Sequence, residues 1–166
     1  MAMLMRLVRH LFARSASAVF PADSLQRIAD AVAEGERRHR GEVCFAVEPA
    51  LPARRVLMGM TARQRALDVF ARLRVWDTES NNGVLVYLLL ADHRIEIVAD
   101  RGLDGRVGEA QWRDTCRLME DRLRAGEPEA AAVTGVRAVS DLLVHHFPRV
   151  PGDVDENELP DVPRLL

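Results

Sequence analysis

Five side chains have the types and spacing to do chemistry together. Asp77 and Asn82 bracket one polar run, Asp77-Thr78-Glu79-Ser80-Asn81-Asn82-Gly83, and Asp100, Arg101 and Asp104 belong to a second, Asp100-Arg101-Gly102-Leu103-Asp104-Gly105. Carboxylates and amides are the hard oxygen ligands that calcium or magnesium prefers. The planar fork of an arginine suits a phosphate. A divalent cation held by Asp77, Asn82, Asp100 and Asp104 would polarise a phosphoryl oxygen while Arg101 binds the phosphate. Asp, Asn and Gly are also the residues that turns at sheet ends require, and Arg101 can pair with a loop acid. Both readings stay open at this point.

A second set is Glu36, His39 and Glu42. Glu36 and His39 are three apart and share a face if their helix persists that far; they are either metal ligands or a solvated pair. Trp112 suits a core anchor or a stacking platform. His145 and His146 close the last helix, where positive charge favours the helix dipole, and as neighbours in sequence they point to different faces. Cys44 and Cys116 are too few and too far apart for a disulfide framework or a metal motif. All 23 basic residues are Arg and none is Lys, which excludes a Schiff-base lysine, a P-loop lysine and a lysine base. There is no G-x-S-x-G, H-E-x-x-H, C-x-x-C or G-x-G-x-x-G, so familiar nucleophile chemistry has no motif to rest on.

The elements that must position these residues follow from periodicity. Helical spacing runs from Ala22 to His39 (Leu25, Ile28, Ala29, Val32), with Asp23 or Ser24 as N-cap. Glu42 to Glu48 alternates, with Val43, Phe45 and Val47 on one side, as a strand does. Pro49 and Pro52 predict a loop through Met60. Thr61 caps a helix from Ala62 to Arg74. The run Val84 to Ala91 is almost wholly apolar and reads as a strand covered on both faces. Asp92-His93 then turns the chain into a second strand, Arg94 to Asp100, giving an antiparallel hairpin. Two helices follow, at about Glu109 to Ala125 and Pro128 to His146.

This order predicts an α/β three-layer sandwich. A small mixed sheet, built from a right-handed parallel β-α-β crossover and an antiparallel hairpin, carries helices on both faces. The hairpin places the start of strand 84–91 beside the end of strand 94–100, so Asp77, Asn82, Asp100, Asp104 and Arg101 converge at one sheet end. Strand 42–48, parallel to strand 84–91, brings Arg40 and Glu42 to that same end.

The 166 residues suit one domain, read here as 20–148, between a basic amphipathic segment 1–19 and an acidic, Pro-rich tail 149–166 that is extended or disordered. A net charge of −2 removes the usual electrostatic case for nucleic-acid binding. In the first segment Leu4, Leu7, Val8 and Leu11 share a helical face, which either packs on the domain or lies on a membrane surface. Arg6, Arg9, His10 and Arg14 interrupt its apolar stretch, which argues against a signal peptide. No run is long enough to span a bilayer, and the expected compartment is the cytoplasm.

The stretch Asn82-Gly83-Val84-Leu85-Val86-Tyr87-Leu88-Leu89-Leu90, followed by Glu96-Ile97-Val98-Ala99-Asp100-Arg101-Gly102, resembles the core of the TPM domain family. His39-Arg40-Gly41-Glu42-Val43, Trp112 and His146-Phe147-Pro148 agree with it, and the resemblance spans about residues 20–148. That family was once a domain of unknown function and includes thylakoid-lumen proteins tied to photosystem II repair as well as many bacterial proteins. This chain is similar to its short bacterial branch without signal peptide or membrane anchor. The resemblance implies a three-layer α/β sandwich and, in some members, a divalent-cation site and weak acid phosphatase activity, with Asp77, Asn82 and Asp100 at the matching positions. Many secreted members carry a Gly-x-Gly-Leu-Glu type exit; here it is Asp100-Arg101-Gly102-Leu103-Asp104, whose arginine either weakens a cation site or supplies its counter-charge.

Two functions follow as expectations. One is a non-catalytic interaction or accessory module in a membrane-linked assembly, with a LemA-type membrane protein as partner. The alternative is a divalent-metal-assisted phosphatase acting on phosphomonoesters.

Overall fold

In this computed structural model residues 1–153 and 157–166 are described. The elements in chain order are α1 (Ala2–Leu11), α2 (Ala16–Val19), α3 (Ala22–Glu36), β1 (Glu42–Glu48), α4 (Ala53–Leu57) and α5 (Ala62–Arg72). There follow β2 (Gly83–Leu89), β3 (Arg94–Ala99), α6 (Glu109–Arg124), α7 (Pro128–His146) and β4 (Arg164–Leu165). Strand order is β3-β2-β1-β4. β1 runs parallel to β2 and to β4, while β2 and β3 are antiparallel.

Alternation along the strands sorts side chains into two cores. Val43, Phe45, Val47, Val84, Val86, Leu88, Ile95 and Ile97 face α3, α6 and α7, where Ile28, Val32, Met119, Val136 and Leu143 meet them. Cys44, Ala46, Leu85, Tyr87, Leu89 and Val98 face the other way, against Ala66 and Val69 of α5 and Val56 of α4. The result is the three-layer α/β sandwich that the periodicity predicts. Both middle strands are covered on both faces, and burying each large apolar side chain there contributes about 1.5–3 kcal/mol.

β3 forms one rim of the sheet, and side chains occupy its outer edge. Arg63 donates to the Ile97 carbonyl at 2.5 Å, and the Ile95 N–H donates to Glu120 at 3.3 Å.

Three local expectations need correction. Pro49 and Pro52 do not enforce a loop through Met60: Pro52, extended, caps α4, whose Val56 is fully buried. The N-cap of α3 is Pro21 rather than Asp23 or Ser24, and the Ser24 hydroxyl instead donates to Glu129 on α7. That helix also stops at Glu36, short of His39, which bridges to Pro148.

Within the segment 149–166, residues 154–156 lie outside the described residues. Its end is extended and adds β4 to the sheet, pairing Ala46 with Arg164 and Val47 with Leu165. Leu159 is buried in the second core.

α1 packs against α4 and the turn at Leu90–Asp92. Its anchor is Asp92. Arg6 donates to both Asp92 oxygens, with Nε–Oδ1 3.2 Å, Nε–Oδ2 3.0 Å and Nη2–Oδ2 2.8 Å, and His10 Nε2 stands 3.2 Å from Oδ1. His10 Nδ1 accepts the Leu51 N–H at 2.9 Å, which leaves the proton on the nitrogen that faces Asp92. Burial pushes the Asp92 carboxyl up, but the hydrogen bonds and charge of Arg6, joined by His10, outweigh it and hold it below its ordinary value.

A buried ion pair joins α5 to the sheet. Arg65 donates to Glu48 through Nε (2.7 Å) and Nη2 (3.1 Å), and the Tyr87 hydroxyl donates to the same carboxylate at 2.7 Å. Burial, then that bond to Glu48, raises the Tyr87 pKa, so the phenol stays protonated. Breaking one side of a buried pair strands a charge. Arg65→Met is therefore expected to cost about 3–5 kcal/mol in urea denaturation. Combining it with Glu48→Met and Tyr87→Phe should recover most of the loss; no recovery would show that packing, not the orphaned carboxylate, sets the cost.

Candidate functional site

The two polar loops do meet at the sheet end where β2 begins and β3 finishes. The Asp100 N–H donates to the Gly83 carbonyl at 2.9 Å, and the Gly102 N–H donates to the Asn81 carbonyl at 2.8 Å. Arg101 Nε donates to Asn81 Oδ1 at 2.9 Å. Asn81 itself adopts φ 50°, the left-handed region that asparagine tolerates better than most residues. A side chain on Gly102 would collide with the Asn81 carbonyl, and one on Gly83 with the Val75 carbonyl. Both glycines are there because backbone approaches backbone.

The expected ligands are placed as follows. Asn82 is buried and its amide is committed: Nδ2 donates to the Arg40 carbonyl at 2.6 Å, and Oδ1 lies 3.3 Å from the Thr78 hydroxyl. Asp77 is exposed and paired with Arg74. Asp104 and Arg101 are exposed. Asp100 is buried; its Oδ1 accepts the Arg101 N–H at 2.7 Å, and its Oδ2 is buried with no hydrogen-bond partner. The junction thus holds one buried carboxylate oxygen with no hydrogen-bond partner, next in sequence to an arginine whose side chain is bonded to Asn81. Among the described residues, no group of three or more His, Cys, Asp or Glu side chains is placed to hold a metal ion. The four oxygen ligands, as they stand, do not fit a complete cation site.

Arg40 and Glu42 lie at this end as well: the Asn82 carbonyl accepts the Glu42 N–H at 3.4 Å. Among the described residues, Glu36, His39 and Glu42 are not placed together to hold a metal ion. His39 is fully buried near Gly35 and Ser140. Glu36 Oε1 accepts the Val43 N–H at 2.9 Å, and Glu42 Oε2 accepts the Leu159 N–H at 3.0 Å.

The tail, read from sequence as extended or disordered, supplies the residues that spacing alone missed. Glu158 accepts the Glu79 N–H at 3.1 and 3.0 Å. The Asp161 carboxyl lies near enough to Glu36 to raise its pKa. No local pattern marks these contacts, because they join residues more than seventy positions apart.

Both thiols are pushed toward the protonated form. Burial first, then nearby acids, pushes Cys116 up to about 12, and burial pushes Cys44 up to about 11. The two C-terminal histidine rings of α7 touch edge to face, with centroids 4.8 Å apart, rather than diverging as their adjacency suggested.

At the opposite end of the sheet α1 is mounted inside out. Arg6 and His10 face the domain, while Leu4, Met5, Leu11 and Phe12 are 64%, 65%, 61% and 81% exposed. Sequence periodicity identified the amphipathic helix but not that Arg6 and His10 join Leu7 on its inward side while Leu4, Val8 and Leu11 point outward.

Glu36 gives a pH signature. Burial, and the nearby Glu42 and Asp161 carboxyls, raise its pKa from an ordinary 4.5 to about 9, against the opposing bond from Val43. The folded chain therefore keeps a proton that the unfolded chain releases. That contribution is complete below about pH 4.5 and is lost as pH rises toward about 9. Glu36→Gln keeps the acceptor and does not titrate. It should stabilise the protein by about 1–2 kcal/mol at roughly pH 8 and leave little difference at roughly pH 4. Thermal melts across that range check this; parallel curves for the two proteins would rule it out.

Comparisons with known proteins agree with this architecture. No curated protein matches the sequence. The NMR structure of the BA42 protein from the psychrophilic bacterium Bizionia argentinensis is similar, with a TM-score of 0.76 and 26% identity over 88% of this chain and 94% of that one. The solution NMR structure of the N-terminal domain of a P. gingivalis protein shares the fold, with a TM-score of 0.61 and 18% identity over 77% and 79%. The family model for the TPM domain matches residues 14–142. With its sheet, its Asn-Gly and Asp-Arg-Gly loops and most of its length accounted for, this chain belongs to the TPM domain family.

Proposed function

We propose that this chain is a cytoplasmic, non-catalytic accessory module of a membrane-linked assembly, with a LemA-type membrane protein as its partner. The observation that carries this reading is the inverted α1, which uses its charged side to hold on to the domain and leaves its apolar side outward. Apolar faces of this kind, left open in a water-soluble fold, mark interaction surfaces. Two further observations support it. The polar side chains of the loop junction are largely taken up by one another and by backbone, and both thiols are held protonated. Among the described residues no helix is long and apolar enough to cross a membrane. A co-expressed LemA-type protein solubilised in detergent is expected to retain this chain well above an unrelated membrane protein. Equal retention by both would defeat the reading.

A second reading is favoured by the buried Oδ2 of Asp100, which has no hydrogen-bond partner and precedes Arg101. It is hydrolysis of phosphomonoesters assisted by a divalent cation, with Asp77, Asn82, Asp100 and Asp104 as ligands and Arg101 at the phosphate. It ranks second because Asp77 and Asn82 would first have to leave Arg74 and the Arg40 carbonyl. Under this reading a generic phosphomonoester is turned over in calcium or magnesium, and Asp100→Asn lowers that turnover at least tenfold, by roughly 1.4 kcal/mol or more in the barrier. No turnover, or turnover equal in wild type and variant, removes it.

A further inference from the structure

We infer that α1 lies directly on the surface of an anionic lipid bilayer, with its outward apolar stripe in the headgroup boundary and arginines against the phosphates. This rests on the reading of the chain as a membrane-side module, and it names what the module touches. Three independent observations point to lipid.

The first is the geometry of the helix. Leu4, Met5, Val8, Leu11 and Phe12 fall within one continuous arc at helical spacing, and every one of them is exposed. α4, which packs against α1, adds exposed Leu57 and Met58. Beside the helix opens a cleft of about 600 Å³ whose walls include Phe12, Val19, Leu90 and Leu123, wide enough to receive part of an acyl chain.

The second is charge. The exposed basic groups of this face are Arg9, Arg14 and Arg54, in a chain whose net charge is −2; Arg6 and Arg65 are spent on Asp92 and Glu48. Arg9 and Arg14 line the cleft, and Arg54 is exposed on α4. A basic polar border around an apolar arc is the arrangement that anionic lipid attracts. A second copy of this chain would bring arginine against arginine, so the charge pattern disfavours self-association through this face.

The third is the mounting. The carboxylate that holds α1 in place, Asp92, is itself half-buried beneath the helix and spent on Arg6, Arg9 and His10. It lends no negative charge to the outer face. α1 lies before the residues 14–142 that match the TPM family model.

The test is co-sedimentation of the full chain with vesicles. Mixed phosphatidylglycerol–phosphatidylcholine vesicles should pull the protein down, phosphatidylcholine alone should not, and raising the salt should weaken binding. Leu4→Ser, Leu11→Ser and Phe12→Ser combined should lower partitioning about tenfold or more, with the circular dichroism spectrum unchanged because all three are exposed. Arg14→Glu should lower it severalfold on its own. Absence of binding to anionic vesicles, or equal binding by the triple variant, overturns the proposal. So does a dimer in sedimentation velocity that the triple variant dissociates, since a second copy would then cover the face. Retention by the LemA-type protein in detergent is independent of vesicle binding. Vesicle binding lost with retention kept sinks the lipid contact alone, whereas retention lost with vesicle binding kept sinks the assembly and leaves a protein that binds lipid by itself.

Discussion

The tight reversal at residues 90–93 is the constraint on which the rest depends. A short 3-10 turn ends at His93, whose backbone is left-handed at φ 48°, and the chain doubles back within four residues. At the far end of the hairpin this forces Val84 opposite Ala99, so two loops distant in sequence have no choice but to touch. At the near end it lifts Asp92 to the edge of the domain, where its carboxylate finds Arg6 and His10. A charge so nearly desolvated is costly unless it is paired, and the pairing recruits a whole helix. One turn thereby organises both ends of the molecule.

Those ends have opposite characters. At the loop junction, acids and amides are consumed internally: Asn82 ties β2 to the Arg40 carbonyl, Glu42 holds the tail, and Glu36 accepts the Val43 N–H. The cluster is a clamp, closed by residues from four parts of the chain. At the hairpin tip the polar groups are also satisfied, but the apolar ones are not. Soluble proteins ordinarily arrange amphipathic helices the other way about. The orientation of α1 follows from Asp92, because a half-buried carboxylate beneath the helix makes Arg6 and His10, not Leu4 and Leu11, its inward side.

What could be read from sequence was whatever local pattern controls. The sheet was legible because Val43, Phe45 and Val47 alternate with Cys44 and Ala46, and because Val84 to Ala91 has no polar break. The last helix was legible to the residue, since Pro128 suits a first turn and Phe147-Pro148 stops one. The meeting of the Asn82 and Asp100 loops was legible from topology, but their chemistry was not, because spacing cannot say which of a residue's possible partners it takes. α4 was hidden by its two prolines, although Pro52 suits a helix start as well as a loop. The Glu48–Arg65–Tyr87 triad was invisible for a different reason. Each member looks like an ordinary strand or helix residue until the sheet and α5 are stacked, and only then do Arg65 and Tyr87 both come within 3.1 Å of the Glu48 carboxylate.

The side chains along the outer rim of β3 have a consequence for behaviour at high protein concentration. An edge strand with unspent N–H and C=O groups is a template on which other chains can grow fibrils. Here Arg63 has already taken the Ile97 carbonyl and Glu120 the Ile95 N–H, with bulky charges standing where an incoming strand would need to lie. The molecule can therefore crowd together without seeding its own aggregation along that border.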